Sequence, residues 1–592
     1  MTNAAKTAGK NFSKASKKGV KKAITPQEKA QRAQIRSVRK MFASLGFKRA
    51  ASDAIEITFK KRTGEFDDIF LADNVMVLAE YTVGQTGTSH VAGKSFLYNL
   101  INANQAEWVE FAVGKYPDVS AYIKGAPYEF DEYRVCICYF STQGVSDEIE
   151  VQLDFVSFLD GTKFRYFDAL SKTIFRTARW EFFKYLDLDF SEIGSQVNGS
   201  QIAIQPFPGY VLPEKFSSFP KDFKVVSFYA DPNALLTMSY VLRRDSWRDE
   251  EGIYQRVLQR VRMNQMRKYL TTEERVFVNN IIVTLPADTQ LNEKNNPGKN
   301  IDPKLLAKVK ELTVAVPLRS NTIGIVDGQH RVFCYHEGQD KYEAKIATFR
   351  QRQNLLVTGI IYPEAYADVD KRRFEAKLFL EINDKQKRTG SELKQSIELI
   401  LNPFSNIAIS KAVVQRLNAA GPLKGLLQTN YFDPTNLIRT TSIVSYGLRP
   451  LLKLDGEDSL FSAWSDPHKQ QLQALQKAQA SSGDDGLLAD YVLFCSKAIN
   501  DLLVAIKVND DQARWKLADS AKDRHLSPTI LNGYFYCLRL LVRNGTISTK
   551  SSYQTALSGV ATFDYSKYKS SHWNQLGAAF YKKYFSAKTG LG

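Results

Sequence analysis

One nine-residue stretch constrains the fold more than any other part of this chain. The apolar, strand-like run 323–326 leads directly into Asp-Gly-Gln-His-Arg at 327–331, and residues 332–335 are apolar again. Gly328 allows the backbone to turn sharply and to come close to a ligand. Amide, imidazole and guanidinium donors on a turn after a strand suit a phosphate or another anion. The stretch therefore predicts a strand that ends in an anion-binding turn.

The polar side chains of this turn have distinct candidate roles. Gln329, His330 and Arg331 can donate hydrogen bonds to phosphate, and Asp327 can hold a metal ion or orient the imidazole. A β-turn with a surface arginine is the simpler alternative. Four different polar side chains around one glycine, between two apolar runs, are hard to explain by packing alone.

The pentapeptide resembles the signature of DGQHR-domain proteins in the ParB/sulfiredoxin-like superfamily, which includes the DndB-type regulators of DNA phosphorothioate modification. The resemblance covers about residues 222–450 and implies a ParB-like α+β domain at 222–390. It also implies binding of a nucleoside triphosphate, whether ATP, GTP or CTP, with Asp327 and His330 as catalytic residues if the nucleotide is hydrolysed.

Two further stretches match the family in order along the chain. A Tyr-Gln-Arg helix and an Asn-Asn strand precede the family's signature, as they do here at 254–256 and 279–280. An Ile-Asn followed by a Gln/Lys-rich turn comes after the signature, as at 382–388. The resemblance adds four residues to the phosphate site: Arg256, Asn280, Asn383 and Gln386.

A second cluster lies near the N-terminus. Asp67 and Asp68 begin one strand-like run, and the next run delivers Glu80, with Thr82 two residues later. The layout resembles the PD-(D/E)xK core of restriction-endonuclease-like domains, which we assign to 41–195. There an Asp and a Glu bind Mg²⁺ and a Lys two places after the Glu helps to position water.

The resemblance implies Asp67, Asp68 and Glu80 as metal ligands, with Asp68 and Glu80 catalytic. Thr82 departs from the pattern, and Lys94 in the following helix-like segment is the candidate for the missing charge. Two alternatives remain open: a degenerate nuclease fold that only holds DNA, and an ordinary hairpin with surface acids.

Charge is concentrated at the N-terminus. The net charge is +17, and residues 1–40 contain twelve Lys and Arg against one acid, Glu28. A basic, disordered tail that runs into a helix after Pro26 is predicted. It would neutralise nucleic-acid phosphates or act only to keep the protein soluble. The five cysteines form no CxxC pair, and we expect a reduced, cytoplasmic compartment with no membrane span.

The fold class is therefore predicted as α+β multidomain, with a mostly helical C-terminal region at 391–592. Three local predictions are a strand at 148–158, a helix at 254–270 and a polar loop at 291–306.

The expected function is that of a bacterial DNA-associated protein in a phage-defence or DNA-modification system, with an NTP and Mg²⁺ as cofactors. DNA, other subunits of the defence system and a second copy of the chain are the expected partners. One alternative is a non-catalytic DNA-binding regulator of the DndB type. Another is a scaffold subunit that docks through its helical half.

Overall fold

The structure is a computed structural model, and it combines helices with four β-sheets. It describes the following residues: 25–53, 55–83, 87–194, 204–243, 247, 255–384, 391–430, 433–434, 436–480, 482–510, 515, 517, 526–568 and 571–586.

The N-terminal part begins with a helix whose start is encoded locally. Thr25 caps it, Glu28 closes a capping box, and Pro26 occupies the first turn. The predicted helix after Pro26 is confirmed. The elements of this part are α1 (Pro26–Ser44), β1 (Lys48–Ala51), β2 (Ile57–Phe59), β3 (Arg62–Gly64), β4 (Asp68–Ala72), β5 (Val75–Thr82), α2 (Gly87–Ala103), α3 (Gln105–Lys115), α4 (Pro117–Ile123), β6 (Arg134–Ser141), α5 (Asp147–Gln152), β7 (Val156–Leu159), α6 (Gly161–Ile174) and α7 (Arg179–Tyr185).

Five of these strands form a mixed sheet in the order β1-β4-β5-β6-β7, and β2 pairs with β3 in a separate hairpin. The β4–β5 hairpin is antiparallel, and β5, β6 and β7 run parallel to one another. Helix α1 packs on one face of the sheet with Phe42 stacked on Phe70, and α2 and α3 cover the other.

The central part contains the motif. Its elements are β8 (Ile204–Val211), α8 (Glu214–Ser217), β9 (Lys224–Ala230), α9 (Pro232–Met238), β10 (Ser239–Tyr240), α10 (Arg260–Glu273), β11 (Ile281–Leu285), β12 (Gln290–Glu293), β13 (Asn296–Asn300), β14 (Lys310–Pro317), β15 (Ile323–Asp327), α11 (Gln329–Phe333), α12 (Glu343–Arg352), β16 (Leu355–Ile361) and α13 (Asp368–Asp384). The strands make one nine-stranded mixed sheet in the order β10-β15-β11-β16-β9-β8-β14-β12-β13.

The C-terminal part of the described chain is mostly helical and has its own hydrophobic cluster, which begins at Phe404. Its elements are α14 (Ser391–Leu401), α15 (Asn406–Ala419), β17 (Leu427–Gln428), β18 (Ile438–Arg439), α16 (Arg449–Leu451), α17 (Leu460–Ala463), α18 (Lys469–Lys477), α19 (Asp485–Asn509), α20 (Pro528–Arg543), α21 (Lys550–Ala556) and α22 (Trp573–Tyr584).

Three local predictions need correction. Residues 148–152 belong to helix α5, and only 156–158 of the expected strand are extended, as part of β7 (Val156–Leu159). The expected helix at 254–270 begins only at Arg260. The predicted polar loop contains the β12–β13 hairpin, which turns at residues 294–295 and extends the large sheet.

One hydrophobic cluster runs from Val38 to Ile361 and includes residues of both large sheets. The N-terminal and central parts therefore share a buried contact, in which α6 and α7 face the motif. This contact positions the candidate site described next.

Candidate functional site

The motif turn joins β15 to the short helix α11. Gly328 has a φ of 101°, and a Cβ placed on it would lie 2.7 Å from Ile281 Cδ1 and 3.0 Å from Arg331 Nη2. A side chain here would be strained by backbone conformation and by contact at once. The turn therefore requires glycine.

Asp327 and Arg331 pair with each other across this turn. Arg331 Nη2 donates to Asp327 Oδ2 over 2.5 Å, and the two side chains are 20% and 31% exposed. The pair fixes the start of the helix, and it leaves Arg331 Nε buried without a hydrogen-bond partner among the described residues.

Gln329 points inward and connects the turn by hydrogen bonds to Arg256 and Arg243. Its Nε2 donates to the Arg256 carbonyl oxygen over 3.0 Å, and its Oε1 accepts from Arg243 Nε over 3.3 Å. Gln329 is 7% exposed. The side chain thus positions the turn, whereas the Arg256 side chain is exposed and only its main chain contacts the motif.

His330 lies beside three guanidinium groups. Burial, followed by the charges of Arg262, Arg243 and Arg331, lowers the pKa of His330 to about 4, so the ring is neutral near pH 7. His330 Nε2 and Arg243 Nη2 are buried, and neither has a hydrogen-bond partner within the described ranges. Together with Arg331 Nε, three polar atoms around one histidine lack partners.

Arg243 is the residue of this site that sequence reasoning missed. It is fully buried, stacks over the Phe333 ring at 5.0 Å, and donates through Nη1 to Glu181 Oε2 over 2.5 Å. A cation at the end of the apolar run 240–242 was the available signal, but its carboxylate partner is 62 residues away.

The other residues of the predicted phosphate site differ in position. Asn280 Nδ2 donates to Thr358 Oγ1 over 2.7 Å, one strand away from the turn, and Asn280 Oδ1 is buried without a partner among described residues. Asn383 Nδ2 donates to the Phe379 carbonyl oxygen inside its own helix. Gln386 and Tyr254 lie outside the described residues.

Gln255, which is 2% exposed, donates its side-chain N–H to the Ile325 carbonyl oxygen.

The N-terminal cluster forms a second candidate site. The strand register determines which of its side chains lie on the same face of the sheet. Asp68 pairs with Ala79 across the β4–β5 hairpin, so Asp67 lies opposite Glu80 on the same face of the sheet. Asp68 points to the other face, where Arg39, Arg49 and the Tyr81 hydroxyl donate to its carboxylate. The predicted role of Asp68 as a metal ligand beside Glu80 is therefore wrong.

Lys94 lies directly against Glu80. Its Nζ donates to Glu80 Oε1 over 2.6 Å and to the Glu65 carbonyl oxygen over 2.9 Å. Burial of Glu80 raises its pKa to about 8 in spite of Lys94. His90, Lys94 and Tyr98 share one side of α2, because they are spaced four residues apart.

Asp67 completes this cluster. Burial raises the pKa of its carboxyl, and its Oδ2 accepts from the Tyr81 backbone N–H over 2.8 Å. Two opposed carboxylates with raised pKa values could supply two ligands to a hydrated Mg²⁺. Among the described residues, no group of three or more His, Cys, Asp or Glu side chains is arranged to hold a metal ion.

Comparisons with protein-family models, curated proteins and solved structures gave no match to this chain. Each helix that the structure describes is too short or too polar to span a lipid bilayer.

Proposed function

We propose that this chain is a DNA-associated protein of a bacterial phage-defence or DNA-modification system, and that its DGQHR turn binds the phosphates of a nucleoside triphosphate. One observation carries the proposal: three buried nitrogen atoms, on Arg243, His330 and Arg331, lack partners around one turn. Leaving a buried polar group unpaired costs about 1–3 kcal/mol. A bound oxyanion would supply the missing acceptors.

The charges near His330 favour an anion over a cation. Every charged group that shifts the pKa of His330 is a guanidinium, and each lowers it. Asp327 and Glu181 are already paired with Arg331 and Arg243. Phosphate oxygens would be held by Arg243 and Arg331, and His330 would donate through its protonated nitrogen.

Binding is better supported than hydrolysis. A histidine with a pKa of about 4 is a weak base at neutral pH, and the Asp327 carboxylate is occupied by Arg331. We therefore propose nucleotide binding as the main function of this turn. Turnover would require a base other than His330.

Affinity for DNA is proposed from a basic stripe on α1. Lys29, Arg32, Arg36 and Lys40 are exposed and lie on one side of the helix, because their spacings are three or four residues. The stripe continues the lysine-rich sequence of residues 1–24. Such a cation array would bind phosphate backbones in a salt-dependent, sequence-independent way.

The nucleotide proposal is tested by calorimetric titration of the full chain with ATP, GTP and CTP, with and without DNA. His330→Ala and Arg331→Ala should each weaken binding at least tenfold. The matched control His468→Ala changes an exposed histidine far along the chain and should leave binding unchanged. Equal affinity in all three variants, or no binding by the wild type, would refute the proposal.

A second candidate function is metal-dependent DNA cleavage at Asp67, Glu80 and Lys94. The opposed carboxylates with raised pKa values favour it, because a cation would stabilise their ionised forms. Plasmid nicking with Mg²⁺ or Mn²⁺ tests it, with Glu80→Ala as the inactive variant and Glu148→Gln, an exposed acid on α5, as the control. Nicking that survives Glu80→Ala would refute this site and point to a contaminant or another site, whereas no nicking by the wild type would favour a DNA-binding regulator.

A further inference from the structure

Strand β8 carries apolar side chains on both of its faces. Phe207 and Val211 point into the main core and are 2% and 0% exposed. The alternating residues of the other face are exposed: Ile204, Pro206, Pro208, Tyr210 and, directly after the strand, Leu212. A strand that is apolar on both faces is typical of one covered on both sides.

The same face continues onto neighbouring elements. Tyr229 of β9 is 56% exposed and follows Phe228, which pairs with Gly209 of β8. Val309, just before β14, is 51% exposed and lies opposite Leu212 when the β8–β14 register is continued by one residue. We call this set, with the alternating residues of β8, the β8 face.

The strand register shows why the β8 face is open. Tyr210 pairs with Ser227, Ser227 with Thr358, and Thr358 with Ile282, so these residues lie on one face of the large sheet. On that face α13 covers the β11 end, where Thr284 donates to Glu375 over 2.6 Å. No described element covers the β8 end.

The β8 face is large for an exposed apolar surface. Nine residues of extended chain span about 30 Å, and three strands span about 15 Å across. That is several hundred Å² of largely apolar surface, at the upper end of what a monomer leaves exposed. With a polar rim it reaches the roughly 800 Å² that each partner contributes to a stable interface.

The charges beside the β8 face decide what kind of partner fits. Lys294 and Glu311 form an ion pair at 2.7 Å next to Tyr210, and Lys310 and Lys299 are both paired with Glu293. These three lysines are thus paired with carboxylates, which weakens the attraction of this edge of the sheet for a nucleic acid. Adjacent charges of opposite sign are self-complementary, because a two-fold axis can bring Lys294 of one copy to Glu311 of the other.

We infer that the β8 face is the interface of a homodimer, in which two copies of this chain pack their large sheets face to face. The stripe from Ile204 to Leu212 forms the dry centre, with the Lys294–Glu311 pair at the rim. This inference is independent of the nucleotide and nuclease proposals, since it uses none of their residues.

The test is sedimentation or light-scattering analysis of the full chain over a range of concentrations. The wild type should have twice the 67.0 kDa chain mass. Tyr210→Asp should weaken the dimer by at least about thirtyfold, since a charge would be buried in each copy. The matched control Tyr446→Asp makes the same change at a site of similar exposure, 57% against 52%, and should remain dimeric.

Two results would overturn the inference: a wild type that is monomeric at the highest concentration reached, or a Tyr210→Asp variant as dimeric as the wild type. Circular dichroism verifies folding, because a folded variant keeps the spectrum of the wild type and melts cooperatively. Loss of the dimer by itself lowers the melting temperature. If Tyr210→Asp fails to fold, Ile204→Lys at the other end of the stripe decides by the same criterion.

Discussion

Arg243 and Glu181 form a buried ion pair that joins the motif turn to the N-terminal part of the protein. Arg243 Nη1 lies 2.5 Å from Glu181 Oε2, and the same guanidinium donates through Nε to Gln329. Glu181 belongs to α7, and Arg179 of that helix pairs with Asp73 at the tip of the β4–β5 hairpin. Paired charges on α7 therefore connect the motif turn to the tip of the β4–β5 hairpin, whereas Asp67 and Glu80 lie at the other end of that hairpin.

Arg243→Ala should destabilise the protein by about 3–5 kcal/mol, because it leaves the Glu181 carboxylate without its charged partner. The measurement is the urea unfolding midpoint. Arg176→Ala is the matched control, since Arg176 is 53% exposed and pairs with Glu337 at 3.7 Å. Its loss should cost less than about 1 kcal/mol. Equal losses in the two variants would contradict the structural role of Arg243.

The register of the β4–β5 hairpin predicts different effects for substitutions of two adjacent aspartates, one on stability and one on metal binding. Asp68→Asn should lower stability, because two arginines and the Tyr81 hydroxyl lose a charged acceptor. Asp67→Asn should leave stability nearly unchanged and should abolish any Mn²⁺ binding measured by calorimetry. Loss of metal binding in Asp68→Asn alone would show that the assignment of the two faces is wrong.

Gly328→Ala should cost at least about 1 kcal/mol, because its backbone has a positive φ and the added carbon would press on Ile281. Anion binding should fall with it, since the turn must shift to make room. Gly298→Ala serves as the control: the nearest atom to its added carbon is 3.8 Å away. Unfolding midpoints and nucleotide titrations of both variants test the prediction.

Glu80 should make stability depend on pH in a definite direction. Its folded pKa of about 8 is above the value of about 4.3 expected in the unfolded chain. The folded state therefore binds the Glu80 proton more tightly than the unfolded chain does. The resulting stabilisation of the fold is complete below the pKa of the unfolded chain and is lost as the pH rises through about 8. The slope reaches about 1.4 kcal/mol per pH unit.

The comparison of wild type with Glu80→Gln isolates this effect, because the amide does not titrate. Urea midpoints between about pH 5 and 8 should fall with pH in the wild type and stay flatter in the variant. Glu148→Gln should retain the slope of the wild type. An unchanged slope in Glu80→Gln would contradict the raised pKa.

Local sequence signals predicted the secondary-structure elements better than the contacts of individual side chains. The capping box at Thr25 and the Gly328 turn depend on neighbouring residues, and both elements are found where the sequence placed them. Whether Asp67 or Asp68 lies beside Glu80 depends on the register of the β4–β5 hairpin. A shift of one residue moves a side chain to the other face of the sheet. The roles of Arg243 and Gln255 depend on contacts with distant residues, which no local pattern encodes.

The most direct test of the central claim is an NMR titration of the histidine side chains, which number six in this chain. Without ligand, the His330 ring should titrate with a pKa of about 4, assigned by the His330→Ala variant. Adding pyrophosphate or ATP should shift its signals and raise its pKa, because a nearby anion favours the charged ring. If the pKa and signals of His330 stay the same at saturating ligand, the DGQHR turn is not a phosphate-binding site.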